Sequence, residues 1–238
     1  MSRAPILALD GLSVGYGDEP IVREVALQVL PGTITTVIGA NGAGKSTLLR
    51  GLYGMIRHFS GTIALEGEAI HPLEPVGRLA AGLSFVPQGR CNFQKMSVKE
   101  NLELGTYTLS KGQMRPAIER VVALFPLLRT KWSSLAGNMS GGEQQVLEMA
   151  IALLLKPKVI MLDEPSLGLS PKMLAQVFRT VLDIRATGAT VVMVEQNARA
   201  ALRISDTAVV MELGRKAFEG EAKAVMNDPR IKAAYLGG

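Results

Sequence analysis

TITTVIGANGAGKST, residues 33–47, joins an apolar, β-branched run to a glycine-rich loop, and Leu48, Leu49 and Leu52 follow at helical spacing. Strand, loop and helix in that order fit G-x-x-x-x-G-K-[ST], here GANGAGKS from Gly39 to Ser46. Each residue type has a chemical reason to be there. Gly39, Gly42 and Gly44, with Asn41 between them, let backbone N–H groups curl around phosphate oxygens, and the helix N-terminus adds partial positive charge. Lys45 reaches the β- and γ-phosphates as a point charge. The Ser46 hydroxyl suits Mg²⁺, and Thr47 completes the nucleotide-contacting set. The stretch is a phosphate-binding loop.

Outward from this loop, the chain is read as one domain of 238 residues. Residues 5–30 alternate in short β-rich runs broken by GYGDEP (15–20), as in an antiparallel layer, and GTIALEGEAI (61–70) predicts a hairpin around Glu66-Gly67. From about 95 to 135 the period becomes helical. SVKE (97–100) has the capping-box pattern, Ile118, Val121, Val122 and Phe125 form an apolar face, and Pro126 ends or kinks that helix. A helix from 141, the strand KVIML (158–162), a helix near 171–186, the strand ATVVMV (189–194), another helix and a hairpin around Leu213-Gly214 follow. Such alternation predicts an α/β fold with a mostly parallel sheet covered on both faces. Residues 1–90 and 136–238 are assigned to the core and its antiparallel β layer, and about 91–135 to a helical subdomain.

Further carboxylates and turns fall at the strand ends. VIMLDEP (159–165) sets Asp163 at the C-terminal edge of a buried strand, where it would hold Mg²⁺, with Glu164 beside it to polarise an attacking water. A Glu next to the metal-holding Asp favours hydrolysis over transfer to a second substrate. MSGGEQQ (139–145) opens a helix with Val146, Met149, Ala150, Leu153 and Leu154 on one face. Ser140 and Glu143 form a capping box, and Ser140 with the free N–H groups of Gly141 and Gly142 also makes a second anion site. One γ-phosphate has no use for two such sites within one chain; two chains arranged head to tail would use both. VVMVEQN (191–197) delivers Glu195, Gln196 and Asn197 to the end of another buried strand. Asn197 reads as the cap of the next helix, Glu195 as an exposed strand-end residue, and Gln196 as the third polar side chain brought to that end.

Composition excludes some classes. Aromatics are 5% of the chain, too few for a stacking platform for single-stranded nucleic acid, and the basic residues behind the net charge of +5 are scattered, so no nucleic-acid partner is expected. Cys91 is the single cysteine, which rules out an internal disulfide and suits a reducing compartment. MSRAPILALDGL carries too short an apolar run for a signal peptide, and AIALLL (150–155) stops at Lys156 and Pro157, well short of a spanning helix. A cytosolic protein is the expectation, one that acts from outside the bilayer if it serves a membrane process.

With its phosphate loop, SGGEQQ turn and Asp-Glu strand in this order, the sequence resembles the ATP-binding-cassette (ABC) ATPases across essentially its whole length. The resemblance implies a P-loop NTPase (RecA-like) core with an antiparallel β subdomain and a helical subdomain. It also implies two ATP molecules, each with Mg²⁺, sandwiched between one subunit's phosphate loop and the other's signature turn, and membrane permease subunits as partners. Tyr16 then resembles the aromatic that stacks on adenine, beside its other reading as a half-buried strand tyrosine. Gln88 in FVPQ (85–88) resembles the glutamine that touches Mg²⁺ and senses the permease, placing 89–102 in the region that docks the membrane partner. Two departures stand out. Ser170 falls where many members have an aspartate after SLGL, and Gln196 falls where most have a histidine that contacts the γ-phosphate, which implies that role for Gln196; His58 and His71 lie far upstream and read as surface residues.

EPSLGLSP, VEQN and the closing DPRIKAAYLGG resemble ATP-binding subunits of bacterial importers for branched-chain and other hydrophobic amino acids, with urea and short-chain amide importers as close relatives. A non-transport ABC ATPase acting on nucleic acid or ribosomes is the alternative of another class. Residues 48–138 leave no room for the long coiled coil of DNA-repair members, and the single cassette is unlike the paired cassettes of ribosome-acting ones. A small-molecule kinase would leave SGGEQQ unexplained.

Overall fold

A computed structural model of the chain describes residues 4–236; the start of MSRAPILALDGL and the last two glycines of DPRIKAAYLGG lie outside them. The first half contains β1 (Leu7–Gly15), β2 (Val22–Val29), β3 (Ile34–Ile38), α1 (Lys45–Tyr53), β4 (Arg57–Leu65), β5 (Glu68–Ala69), α2 (Pro75–Ala81) and β6 (Leu83–Val86). Three helices follow: α3 (Val98–Leu104), α4 (Lys111–Leu124) and α5 (Pro126–Thr130). The chain then returns to α6 (Gly141–Leu153), β7 (Val159–Asp163), α7 (Pro171–Ala186), β8 (Thr190–Val194), α8 (Ala198–Leu202), β9 (Thr207–Glu212) and β10 (Arg215–Glu221).

Two sheets carry the fold. An antiparallel sheet runs β2-β1-β4-β5, and the second runs β10-β9-β3-β8-β7-β6. Within the second, β9, β3, β8, β7 and β6 are parallel neighbours, with β10 antiparallel at the edge. Every residue of β3, β7 and β8 is buried, as apolar strands covered on both faces require. The register pairs Val37 with Val194 and Asp163 with Val194, so three neighbouring strands end at one level. Ligands of open parallel sheets bind outside that C-terminal edge.

One apolar core lies under α4, α6 and α7, a second lies between the two sheets and surrounds α1, and a smaller third gathers Ile38, Leu202, Val210 and Val225. Leu48, Leu49 and Leu52 fill the second, so the helix that follows the phosphate loop is anchored by its apolar stripe. The helix crosses β1 closely at Gly51, where a Cβ would come within 2.5 Å of the Val14 side chain. The turn between β9 and β10 is wedged as tightly. Gly214 donates its N–H to Ala43 O, accepts from Arg23 N, and has φ +80, and a Cβ on it would lie 1.9 Å from Ile21 O.

Both predicted hairpins form around the predicted residues, and Ser97 and Glu100 close their capping box. α4 ends at Leu124, and Pro126 starts a separate short helix instead of kinking a longer one. His58 and His71 are not plain surface residues. Both are half-buried, with stacked rings 5.5 Å apart between β4 and the segment after β5.

Candidate functional site

The loop after β3 owes its shape to its glycines. Gly42 and Gly44 sit at φ +80 and +94, which L side chains avoid, and a Cβ on Gly39 would fall 2.3 Å from Met211 O. Lys45, 5% exposed, folds its side chain back along the loop and donates from Nζ to Gly39 O (2.9 Å) and Ala40 O (3.0 Å). Ser46 Oγ donates to Asp163 Oδ1 at 2.7 Å.

Asp163 is 1% exposed, and its second oxygen, Oδ2, has no hydrogen-bond partner. Burial pushes its carboxyl above the usual range, against the pull of the Ser46 hydrogen bond and of the Arg50 and Lys45 charges. An orphaned buried carboxylate oxygen beside a hydroxyl is a hard oxygen donor set, the kind that Mg²⁺ takes while keeping water and phosphate ligands. The residues fit the ion.

Glu164 adopts a left-handed conformation (φ 49), an uncommon state for a non-glycine residue, and its N–H donates to Val194 O of the neighbouring strand. This turn lifts its side chain out of the sheet, where Oε2 accepts a hydrogen bond from Gln88 Nε2 at 2.9 Å. Burial raises the Glu164 carboxyl, Lys45 lowers it, and Asp163 raises it again. A base with a raised pKa accepts a proton more readily. Gln88, just past β6, and Gln196, just past β8, line the same cleft of about 480 Å³ as Asn41, Gly42, Gly44, Lys45, Ser46, Thr47 and Glu164. A larger cavity, about 650 Å³ and walled by α4 and the end of α6, shares none of these residues.

Other predicted residues lie elsewhere. Tyr16 follows β1 directly, is 47% exposed, and accepts a hydrogen bond from Arg50 Nη1 (2.9 Å); it does not line the cleft, whereas Ile21 beyond the same turn does. Ser140 caps α6 through the predicted box with Glu143, and Gly141 and Gly142 face Leu169 and Met173. None of the three lines the cleft of its own chain. Asn197 caps α8, accepting from Ala200 N.

Glu195 corrects the reading of an exposed strand-end residue. It is 1% exposed, and it accepts from Ser166 N and Ser166 Oγ, both at 2.9 Å, and from Asn197 N at 3.2 Å. A buried carboxylate needs donors, and Ser166 and Asn197 supply them. Glu148 was missed altogether. From α6 its Oε1 accepts from Cys91 N, Asn92 N and Asn92 Nδ2, fastening the segment after Gln88, while Oε2 has no partner. It sits on the apolar side of a helix, a position that gives no sequence sign of a polar partner.

The family description "ABC transporter" matches residues 22–167, which include the phosphate loop, the signature turn and the Asp-Glu strand. The chain belongs to the ABC transporter family. It is an ABC ATPase similar to the high-affinity branched-chain amino acid transport ATP-binding protein BraG of Pseudomonas aeruginosa, 42% identical over 98% of this chain and 100% of that one. It is also similar to the probable branched-chain amino acid transport ATP-binding protein LivF of Archaeoglobus fulgidus, at 38% over 95% and 96% of the two chains. The lipopolysaccharide export system ATP-binding protein LptB of Haemophilus influenzae matches at 31% over 98% and 97%. Among solved structures, a nucleotide-free ATP-binding cassette from an ABC transporter superposes with a TM-score of 0.87 at 26% identity, covering 98% of this ABC ATPase and 100% of that chain. The ADP conformation of an ATP-binding cassette of an ABC transporter gives 0.86 at 28%, covering 99% and 100%. The family resemblance and the α/β cassette fold expected from the sequence are borne out. No described helix of this ABC ATPase is long and apolar enough to cross a membrane.

Proposed function

We propose that this ABC ATPase is the motor subunit of an importer for branched-chain or other hydrophobic amino acids, docked on permease subunits at the inner face of the cell membrane. The observation that carries the motor reading is the partition of its motifs. Lys45, Ser46, Gln88, Glu164 and Gln196 converge on one cleft, while Ser140, Gly141 and Gly142 stay outside it. A second ATPase subunit, identical or related and arranged head to tail, would bring its signature turn over the first one's cleft. The amino-acid assignment is supported by 42% identity to BraG against 31% to LptB.

Within the cleft, the loop amides and Lys45 hold the phosphates, and the adenine rests on the β1–β2 turn that carries Tyr16. Ser46, Asp163 and Gln88 would hold Mg²⁺, which would supply positive charge to offset that of the phosphates. Glu164 takes a proton from the attacking water as its oxygen bonds to the γ-phosphorus, and the bond to the β–γ bridging oxygen breaks, leaving ADP and phosphate. Gln196 donates its amide N–H to the γ-phosphate oxygens as their charge develops. A neutral amide carries no proton, so Gln196 orients and senses, and the base is Glu164.

Co-purification of the tagged chain from its native membranes tests the assignment. Permease subunits recovered with it, and ATP hydrolysis stimulated by a branched-chain amino acid presented with its binding protein, are the expected result. Recovery with ribosomes or nucleic acid in place of permease would overturn it.

A further inference from the structure

Glu164 and Gln196 reach the cleft from the ends of neighbouring strands, β7 and β8, and each is followed by a loop. The structure ties those ends together twice. Glu164 N donates to Val194 O, and two residues later Ser166 gives both its N–H and its hydroxyl to the Glu195 carboxylate. The second tie is bidentate, and Glu195 and Ser166 are both more than nine-tenths buried. Glu195 Oε2 also accepts from Asn197 N, and Asn197 Oδ1 caps α8. Gln196 therefore stands between two fastened residues.

We propose that Glu195 is a positioning residue for ATP hydrolysis. It clamps the Ser166–Ser170 loop to the strand end that carries Gln196, fixing the base on one strand relative to the γ-phosphate contact on the other. This rests on the motor reading of the cleft given above. A buried carboxylate is a costly way to join two loops if packing alone were the need, since an apolar side chain would fill the space without desolvating a charge. Its two oxygens are what a two-donor clamp requires. The clamp also gives the loop a job that survives the loss of the aspartate at Ser170: that loop packs Leu169 against the start of the signature helix at Gly141, so a shift of the signature turn reaches Gln196 through Ser166.

Misplacing a reacting group changes turnover more than binding. The test is steady-state ATP hydrolysis by the full chain as wild type, Glu195→Gln, Ser166→Ala and the double variant, with thermal unfolding recorded for each. Glu195→Gln keeps the volume and one acceptor but turns an amide N–H toward donors that the second oxygen satisfied. About a tenfold fall in kcat, with KM for ATP held within about twofold, is expected for each single variant. The double variant should be no slower than the slower single, because both weaken the same clamp, Ser166→Ala by removing its hydroxyl donor while the backbone N–H bond stays. Wild-type kcat in both single variants, KM rising in step with the fall in kcat, or losses that multiply in the double variant would overturn the clamp. If Glu195→Gln does not fold, Ser166→Ala decides by the same kcat and KM criteria. A wild-type chain that shows no ATP hydrolysis, alone or with its permease, sinks the motor reading itself, whereas wild-type turnover with both single variants unaltered sinks only the clamp.

Discussion

Ser46 Oγ donates a 2.7 Å hydrogen bond to Asp163 Oδ1, joining the first turn of α1 to the last residue of β7 across 117 positions of sequence. It is the only hydrogen-bonded contact of the Asp163 carboxylate with another side chain among the described residues, and it holds the two oxygen donors side by side. Ser46→Ala would remove the one side-chain donor to a buried carboxylate whose other oxygen already has no partner. An unsatisfied buried acceptor costs about 1–3 kcal/mol. Denaturant titration without nucleotide should show a loss of that order, together with a fall in Mg²⁺-dependent turnover. Unchanged stability and turnover would contradict the pairing.

Lys45→Ala removes the cation of the phosphate loop. ATP turnover should fall by about 10²-fold or more, the usual cost of losing a preorganised charged donor to a transferring phosphoryl group. Unchanged hydrolysis would remove the phosphate-loop reading.

Glu164→Gln keeps the shape of the side chain and its place beside Gln88 but cannot accept the proton of the water. Turnover should drop about 10²-fold or more, as for loss of a positioned general base. Sizing chromatography with ATP should then give a trapped dimer. A monomer with ATP bound would argue against the head-to-tail sandwich.

Gln196→Ala should slow hydrolysis more than it weakens ATP binding, because the contact strengthens as charge develops on the γ-phosphate. Fluorescent-nucleotide titration and single-turnover hydrolysis separate the two effects. Equal losses in both would place Gln196 in ground-state binding only.

Glu148 gives a pH-dependent outcome. Burial raises its carboxyl above the ordinary value of 4.5, with the hydrogen bonds from Cys91 and Asn92 pulling the other way. The folded chain therefore holds that proton more tightly than the unfolded chain. The resulting stability is complete below the ordinary value and is lost as pH rises through the folded one. Glu148→Gln keeps an oxygen for the three donors and has no proton to lose. It should unfold at a higher temperature than wild type at neutral pH, with the gap closing toward about pH 4. A gap that stays constant with pH would show that ionisation of Glu148 is not its source.

The strand–helix alternation and most of the cleft residues were legible because their signals are local. β-branched runs, a glycine loop and helical spacing each fall within a dozen residues, and the Asp163-Glu164 and Gln196 positions follow from where the strands end. What stayed illegible depends on partners brought together by the fold. Ser166 lies 29 positions before Glu195, and Asn92 lies 56 before Glu148, so neither carboxylate announces its donors. Pattern alone made Glu195 a surface residue, because a charged group at a strand end is ordinarily solvated. The stacking of His58 on His71 is hidden for the same reason, since it depends on how β4 and the turn after β5 are folded together.

The wedge at Gly214 has a consequence for how this sequence can drift. The β9–β10 turn touches the backbone of β2 and of the phosphate loop at once, through Arg23 and Ala43. In a saturation library selected for transport, Gly214 should tolerate replacement as poorly as Gly39 does, although it lies outside the nucleotide cleft, while its neighbour Leu213, 87% exposed at φ 47, should accept unbranched polar residues, Asn and Asp above all. Two adjacent codons would thus evolve at opposite rates. The slower one would record a steric debt to the antiparallel layer, not a contact with ATP.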